Sequence, residues 1–290
     1  MRPGVLIAGC GYVGVATADL FHAAGWEVEG WTHSPESARR LAGKPYPVRA
    51  VDIAERAAVK VAASAYDAVI HCASSGGGGP ESYRRVYLAG NENLLATLQP
   101  RTFVYTSSTS VYAQTGGEWV DEESAAEPAH ETGRILRQTE EFVRQKGGLV
   151  ARLAGIYGPG RSALLRKFLS GEARIEAGGE RYLNQTHRDD IAAALFLLVN
   201  VPNESRTTAG IVNVTDNEPM TQRACYEWLA AKLHRPLPAL VDRPAGRKRG
   251  ASNKRVSNRR LRALGWQPKF PTFEMGMERS VLPAYPALGA

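Results

Sequence analysis

The sequence predicts an α/β fold: a doubly wound parallel sheet with a small interleaved C-terminal lobe. Three observations point there. Short apolar runs alternate with stretches of helical apolar spacing as far as Tyr157. The first run ends in glycines spaced G-x-G-x-x-G. Beyond Tyr157 the rhythm loosens into short helices and Pro-rich loops. Strands that alternate with helices imply a parallel sheet, because a parallel neighbour can only be reached by a crossover, and the crossover helices cover both faces.

The elements follow in order. GVLIAG (Gly4–Gly9) is a short apolar run and reads as a buried strand. GYVGVATADLFHAAG has helical spacing and closes at Gly25. WEVEGWTH is the second strand, and Ala68–Cys72 within AYDAVIHCAS is the third. ESYRRVYLAGNENLLATL is a long helix, and RTFVYTSS is the strand after it. EPAHETGRILRQTEEFV (Glu127–Val143) is helical and leads into a strand, GLVARLAGIYG. GPGRSALLRKFLSG is a turn and a helix. HRDDIAAALFLLV is a helix whose opening acids suit its positive N-terminus. GIVNVTD is a late strand.

Bulk properties narrow the function. The 290 residues suit one large domain or a domain with a smaller lobe. With 43% hydrophobic and 22% charged residues the chain is not a disordered one. Its longest apolar run, Ile191–Val199, is about half the roughly 18 residues of a membrane helix, so no membrane partner is expected. Arg2 followed by VLIAGCGYVGVATA mimics a secretory signal, but the glycine spacing explains the stretch as a strand and turn. Cys10, Cys72 and Cys225 lie too far apart for a disulfide framework or a metal cluster. The expectation is a cytoplasmic protein with no metal.

Net charge is +7, and much of it gathers in Arg247, Lys248, Arg249, Lys254, Arg255, Arg259, Arg260 and Arg262. That stretch suits the phosphates of a substrate, a nucleic acid, or simply a solvated face. No nucleic-acid module is recognisable, which leaves a small-molecule substrate, one that could carry a phosphate, as the expected partner. A homodimer is left open.

The glycines carry the cofactor reading. Gly9, Gly11 and Gly14, with Cys10, Tyr12 and Val13 between them, follow a strand and open a helix. Gly9 permits the tight turn, Gly11 lets a pyrophosphate approach the backbone, and Gly14 lets the helix pack on the sheet. Free N–H groups and the helix dipole then face the phosphate. An NAD site places an acid at the tip of the second strand for the ribose 2′-OH. Here the tip carries His33, Ser34, Arg39 and Arg40, and the competing acid, Glu29, lies mid-strand. Donors and positive charge suit a 2′-phosphate, so NADP is expected over NAD. The expected layout is therefore of the Rossmann type. Residues 1–157, completed by about 186–215, bind the cofactor, and 158–185 with 216–290 form the substrate lobe.

GCGYVG, VRAVDI, AVIHCAS, FVYTSSTSVY, RLAGIYGPG, HRDDIAAAL, NVTDNEPMT and LGWQP together resemble the extended short-chain dehydrogenase/reductases, the NAD-dependent epimerase/dehydratase family. The resemblance spans nearly the whole chain. It implies that Asp52, followed by Ile53, bonds the adenine amino group. Cys72, Ala73 and Ser74 would line the adenosine ribose. Thr106 and Ser107 would lie on the strand that carries the catalytic hydroxyl, and Ile156 beside the nicotinamide. Ser108, four residues before Tyr112, falls at the hydroxyl position and would bond a substrate oxygen that becomes oxyanion-like.

The family's acid/base pair, Tyr-x-x-x-Lys, is missing. Such a pair lies one helical turn apart, and the ammonium lowers the tyrosine pKa toward working pH. One alignment of HETGR puts His130 and Arg134 at the two positions; anchoring on Glu140 gives Thr132 and Leu136. Tyr87 stands where the family's helix Asn would be. This resembles the atypical branch of the superfamily. His130 is the candidate replacement acid, and Arg134, always charged, is a candidate ribose ligand but not a base. Two functions follow as expectations: an NADP-dependent oxidoreductase or epimerase-like enzyme acting on a small metabolite such as a sugar or nucleotide sugar, or a catalytically silent NADP-binding sensor.

Overall fold

The structure, a computed structural model, describes residues 2–176, 181–202, 210–242 and 252–285. Seven strands form one parallel sheet: β1 (Gly4–Ala8), β2 (Glu27–Thr32), β3 (Val48–Ala50), β4 (Ala68–His71), β5 (Thr102–Ser108), β6 (Leu149–Leu153) and β7 (Ile211–Val214). Their spatial order is β7-β6-β5-β4-β1-β2-β3, so the direction of winding reverses between β1 and β4. Sheets of this kind hold ligands in the crevice at the carboxyl ends of the strands, at that switch point.

Alternation along each strand builds two cores. Val5, Ile7, Ala68, Ile70, Val104 and Ala151 face α1 (Tyr12–Ala23) and α8 (Arg188–Asn200). Leu6, Ala8, Val69, Phe103, Tyr105 and Val150 face the opposite way, toward α3 (Arg56–Ala62), α5 (Gly90–Leu98) and α6 (Glu131–Gln145). With both faces covered, the strands are mostly apolar, as suits a parallel sheet buried on both sides.

A third core lies outside the sheet. Tyr157, Leu165 and Phe168 pack with Cys225, Tyr226, Phe273 and Met277. It joins α7 (Ala163–Leu169) to the helix Gln222–Leu233 and to the chain near Phe273.

Some elements differ from the expectation. GLVARLAGIYG is two strands. Leu149–Leu153 belongs to the main sheet, while Gly155–Tyr157 pairs in parallel with Gln185–His187. The break falls at Ala154, whose N–H still bonds Val214 O, whereas Gly155 N–H turns to Asn184 O. The long helix changes character at Arg84–Ala89, a π-helical stretch between α4 (Pro80–Tyr83) and α5. β4 stops at His71, one residue short of Cys72. α6 starts at Glu131, leaving Glu127–His130 as an irregular entry.

Candidate active site

Backbone constraints shape the first part of the site. Gly9 has φ +99°, and a Cβ there would lie 2.1 Å from Ala73 N. A Cβ on Gly14 would lie 2.2 Å from Gly9 O. Neither neighbour is a movable side chain, so only glycine fits. Gly11 differs, because a Cβ there would meet nothing within 4 Å. Two glycines serve the packing of α1 on the sheet, and the third keeps open space in front of it. Gly11 is also the N-cap of α1, and no side chain caps it. The uncapped amides and the dipole make this end of the helix an anion cradle.

A cavity of about 440 Å³ opens from this turn and runs along the carboxyl ends of the strands. Gly9, Cys10, Gly11, Tyr12 and Val13 line one end, with Thr32, His33 and Ser37 at the tip of β2. Cys72, Ala73, Ser74, Thr106, Ser107 and Ile156 line the middle. Among the described residues, no aspartate or glutamate lines it. Arg161 does, and its guanidinium lies 5.2 Å from the Tyr12 ring, with Arg188 5.0 Å from the same ring. Tyr12 OH donates to Pro159 O (3.0 Å). The Tyr12 ring thus ties the glycine turn to the GPGR segment and fixes a positive charge beside the cradle. Sequence reading stopped at GPG and missed Arg161, although Arg161 is the very next residue.

Several expected cofactor residues lie beside this cavity without lining it. Gly14 packs beneath the turn. Ser34 caps α2 (Pro35–Arg40) by accepting from Ser37 N. Arg39 is exposed. Ile53 is buried in the second core. Asp52 accepts from Ala54 N and is paired with Arg85, with His33 Nδ1 at 3.5 Å. Glu29 is consumed by the fold: Trp31 Nε1 and Tyr66 OH each donate to it at 2.7 Å, and Arg49 pairs with it. It therefore lies outside the cavity lining, and the acid next to the tip of β2 is Asp52, which is paired with Arg85 and does not line the cavity either.

Ser108 ends β5, and its Oγ accepts from Ser110 N (3.1 Å), which caps the 3₁₀ turn Thr109–Val111. That bond uses a lone pair and leaves the hydroxyl proton free to donate. The same Ser108, with Ala154, also lines a second cavity of about 360 Å³. Ser108 therefore stands at the junction of two spaces, one beside the glycine turn and one toward the third core. Tyr87 lines the first cavity from the π-helical stretch, its OH accepting from Ser75 N (3.3 Å). Tyr83 lies edge-on to it, with ring centroids 5.0 Å apart, and lines the cavity too.

α6 (Glu131–Gln145) carries or adjoins the residues of both alignments of the missing pair. Leu136 lines the cavity. His130 and Arg134 do not: both are exposed, His130 as the N-cap of α6 without a capping bond, and Arg134 donating to Ala129 O (2.8 Å). The physical reason is the anchor one turn later. Glu140 is fully buried and takes bonds from Ser107 Oγ (2.7 Å), from Arg152 Nε (3.0 Å) and Nη2 (2.7 Å), and from Arg137 (2.6 Å). Arg152 also donates to Tyr112 OH (2.8 Å), which donates to Asn213 Oδ1 (3.0 Å). This network sets the rotation of α6, and Leu136, one turn before Glu140, faces inward. Of the four residues that the two alignments offer, Leu136 lines the cavity, and Thr132, His130 and Arg134 do not.

The basic stretch divides. Arg247, Lys248 and Arg249 lie outside the described residues. Lys254 is buried and lines the second cavity. Arg255 stacks between the rings of Trp119 (5.2 Å) and Tyr182 (4.9 Å). Arg260 pairs with Glu122 and Glu123, and with Arg259 and Arg262 it lines a third cavity that also holds Asp121 and Asp216. The stretch is thus not one continuous cationic face. Among the described residues there is no cluster of metal ligands and no helix long and apolar enough to cross a membrane.

Comparison with known proteins places this architecture. The chain is similar in structure to a protein from Methylobacillus flagellatus provisionally described as an NAD-dependent epimerase/dehydratase. The two are 26% identical, 98% of this chain covers 99% of that one, and the TM-score is 0.79. It shares its fold with the UDP-glucose 4-epimerase of Thermus thermophilus in complex with NAD: 20% identity, 98% of each chain and a TM-score of 0.79. The human epimerase family protein SDR39U1 (isoform 2) with NADPH has the same fold: 18% identity, 95% of this chain over 98% of that one and a TM-score of 0.75. No curated protein matches the chain. The sequence profile of the NAD dependent epimerase/dehydratase family matches residues 5–214, from the first strand of the sheet to the last. With that match over most of its length, and with the seven-stranded doubly wound sheet and its glycine turn, the chain belongs to the NAD-dependent epimerase/dehydratase family.

Proposed function

We propose that this protein is an NADP-dependent oxidoreductase or epimerase-like enzyme acting on a small metabolite, with Ser108 as its catalytic hydroxyl. The observation that carries the reading is the position of Ser108 at the junction of the two cavities. The cofactor belongs in the first cavity. Its diphosphate suits the uncapped start of α1 with Arg161 beside it, and the open space at Gly11 is the cradle a side chain would fill. The 2′-phosphate suits Thr32, His33 and Ser37, since no carboxylate lines the cavity there and Asp52, next to His33, is paired with Arg85. When bound, the nicotinamide supplies a hydride acceptor or donor. The substrate approaches from the second cavity, over the lobe formed by 158–185 and 216–290.

Ser108 then donates to a substrate carbonyl oxygen as negative charge develops there. The proton must move without a tyrosine on α6. Tyr87 OH, the other hydroxyl facing the cavity that the sequence singles out, is the candidate. A second reading, a cofactor-binding sensor that turns nothing over, is favoured by one observation: of the residues that the two alignments offer for the missing pair, Leu136 lines the cavity, and it cannot hold a ribose hydroxyl or a charge. A metabolite screen followed by NADPH absorbance decides between them. Turnover that falls in Ser108→Ala supports the enzyme. Tight cofactor binding with no turnover of any metabolite supports the sensor.

A further inference from the structure

The second cavity contains a charge that the cofactor reading does not use. Lys254 is only 5% exposed. Its Nζ donates to Tyr112 O (2.9 Å) and to Ser252 Oγ (2.9 Å). Both acceptors are neutral, and among the described residues no carboxylate forms an ion pair with it. An ammonium has three donors, so one N–H remains for the cavity that Lys254 lines. Burying a cation without a counter-charge is costly, and the usual remedy is an opposite charge close by. Arg181 lines the same cavity, and its charge acts on Lys254. Burial first, and Arg181 second, push the Lys254 ammonium down to about 8, with Glu118 pulling the other way.

The position of Lys254 is built into the fold. Asn184 Nδ2 donates to Lys254 O (3.0 Å), and Asn184 Oδ1 accepts from Val256 N (2.7 Å). The next two residues pair with Trp119–Val120 as a short parallel strand. The main chain at Lys254 is therefore fixed beside the cavity. The remaining polar lining is hydroxyl and amide, including Ser108 and Ser110, and among the described residues no acid lines the space.

We propose that the second cavity is an anion site: Lys254, with Arg181 beside it, binds the carboxylate or phosphate of a small hydroxylated substrate and so fixes the reacting end of that substrate at Ser108. This rests on the reading above only in making the bound anion part of the substrate. Carboxylate and phosphate share the chemistry, and the probes separate them.

The test is calorimetric titration of inorganic phosphate, and separately of malonate, into the wild type and into Lys254→Met, Arg181→Ala and Gly11→Val. We expect at least one probe to bind, and both charge variants to weaken it by about tenfold or more, the scale of one lost hydrogen bond to a charged group. Gly11→Val should leave unchanged the part of the binding that the charge variants remove, because the glycine turn is a different anion cradle and any phosphate it holds is lost separately. Should Lys254→Met fail to fold, Lys254→Arg, which keeps the charge, must retain binding while Arg181→Ala still loses it. The proposal is overturned if neither probe binds the wild type, if both charge variants bind as it does, or if only Gly11→Val loses binding. A parallel NADPH titration separates the two readings. Tight NADPH binding without anion binding rejects this inference alone, and anion binding without NADPH binding rejects the cofactor reading alone.

Discussion

The two ends of the first cavity are built in different ways. At the glycine turn the requirement is on the backbone: Gly9 and Gly14 sit where any Cβ would strike main-chain atoms, and Gly11 keeps a space open. At the α6 end the requirement is on side chains, and there Leu136, where the alignment anchored on Glu140 would put the family's lysine, lines the cavity. The contrast explains why one end keeps its pattern while the other loses it. A backbone constraint couples fold and ligand, so the residues cannot change without loss of packing. A side-chain constraint couples only to chemistry, and it can be replaced while Glu140 and Arg152 go on holding the helix.

Removing the anchor of α6 strikes this contrast hardest. Arg152→Met would leave Glu140 buried with only Arg137 as a charged partner. Stripping one partner from a buried pair typically costs about 3–5 kcal/mol. We expect a loss of that size in denaturant unfolding. A loss below about 1 kcal/mol would mean that α6 is held by apolar packing and that Leu136 faces inward for another reason.

Next in size is Ser108→Ala. Removing a single oxyanion donor costs about 10²–10³ in rate. Turnover of a substrate found by the NADPH screen should fall by that order while NADPH affinity stays unchanged. Full activity in the variant would take Ser108 out of the chemistry and leave it as the cap of Ser110 N.

The glycine end is tested by a pair of variants. Gly14→Ala forces a Cβ against Gly9 O, and overpacking of this kind costs about 1–3 kcal/mol. A Cβ on Gly11 meets nothing within 4 Å, so Gly11→Val should lower the thermal melt less than Gly14→Ala does, by the loss of a favourable N-cap residue only, while cofactor binding collapses. Equal destabilisation by both would erase the distinction between the packing glycines and the open one. The smallest effect is expected for His130→Ala. The imidazole is exposed and makes no capping bond, so stability should change by less than about 0.5 kcal/mol and turnover should not change. A large loss of turnover would bring His130 back as the acid.

The sheet was legible in the sequence because apolar runs of the right length, separated by glycine and helical spacing, leave few alternatives. The π-helical turn at Arg84–Ala89 was not, because it differs from an α-helix by one hydrogen-bond step that no residue type announces. The break at Ala154 was hidden for a similar reason. GLVARLAGIYG reads as one strand, and only the partner strands β7 and Gln185–His187 divide it. At the site, GCGYVG was visible through its spacing and context, and Ser108 through the family resemblance. Leu136 stood in one of two open alignments, and the contact that orients its helix, Glu140 with Arg152, joins residues on different elements. Lys254 was legible only as one of a basic stretch suited to phosphates, and Arg161 was not legible as a site residue, since each reaches its cavity by the path of the chain and not by a local pattern.

A nicotinamide cofactor in the first cavity, selected by the tip of β2, underlies every role assigned to the site. Calorimetric titration of the wild type with NADPH and with NADH measures it directly. With Thr32, His33 and Ser37 at the tip, and Glu29 consumed by Arg49, Trp31 and Tyr66, NADPH should bind the more tightly of the two, and Gly11→Val should abolish both. Equal affinities, a preference for NADH, or binding that survives Gly11→Val would contradict it.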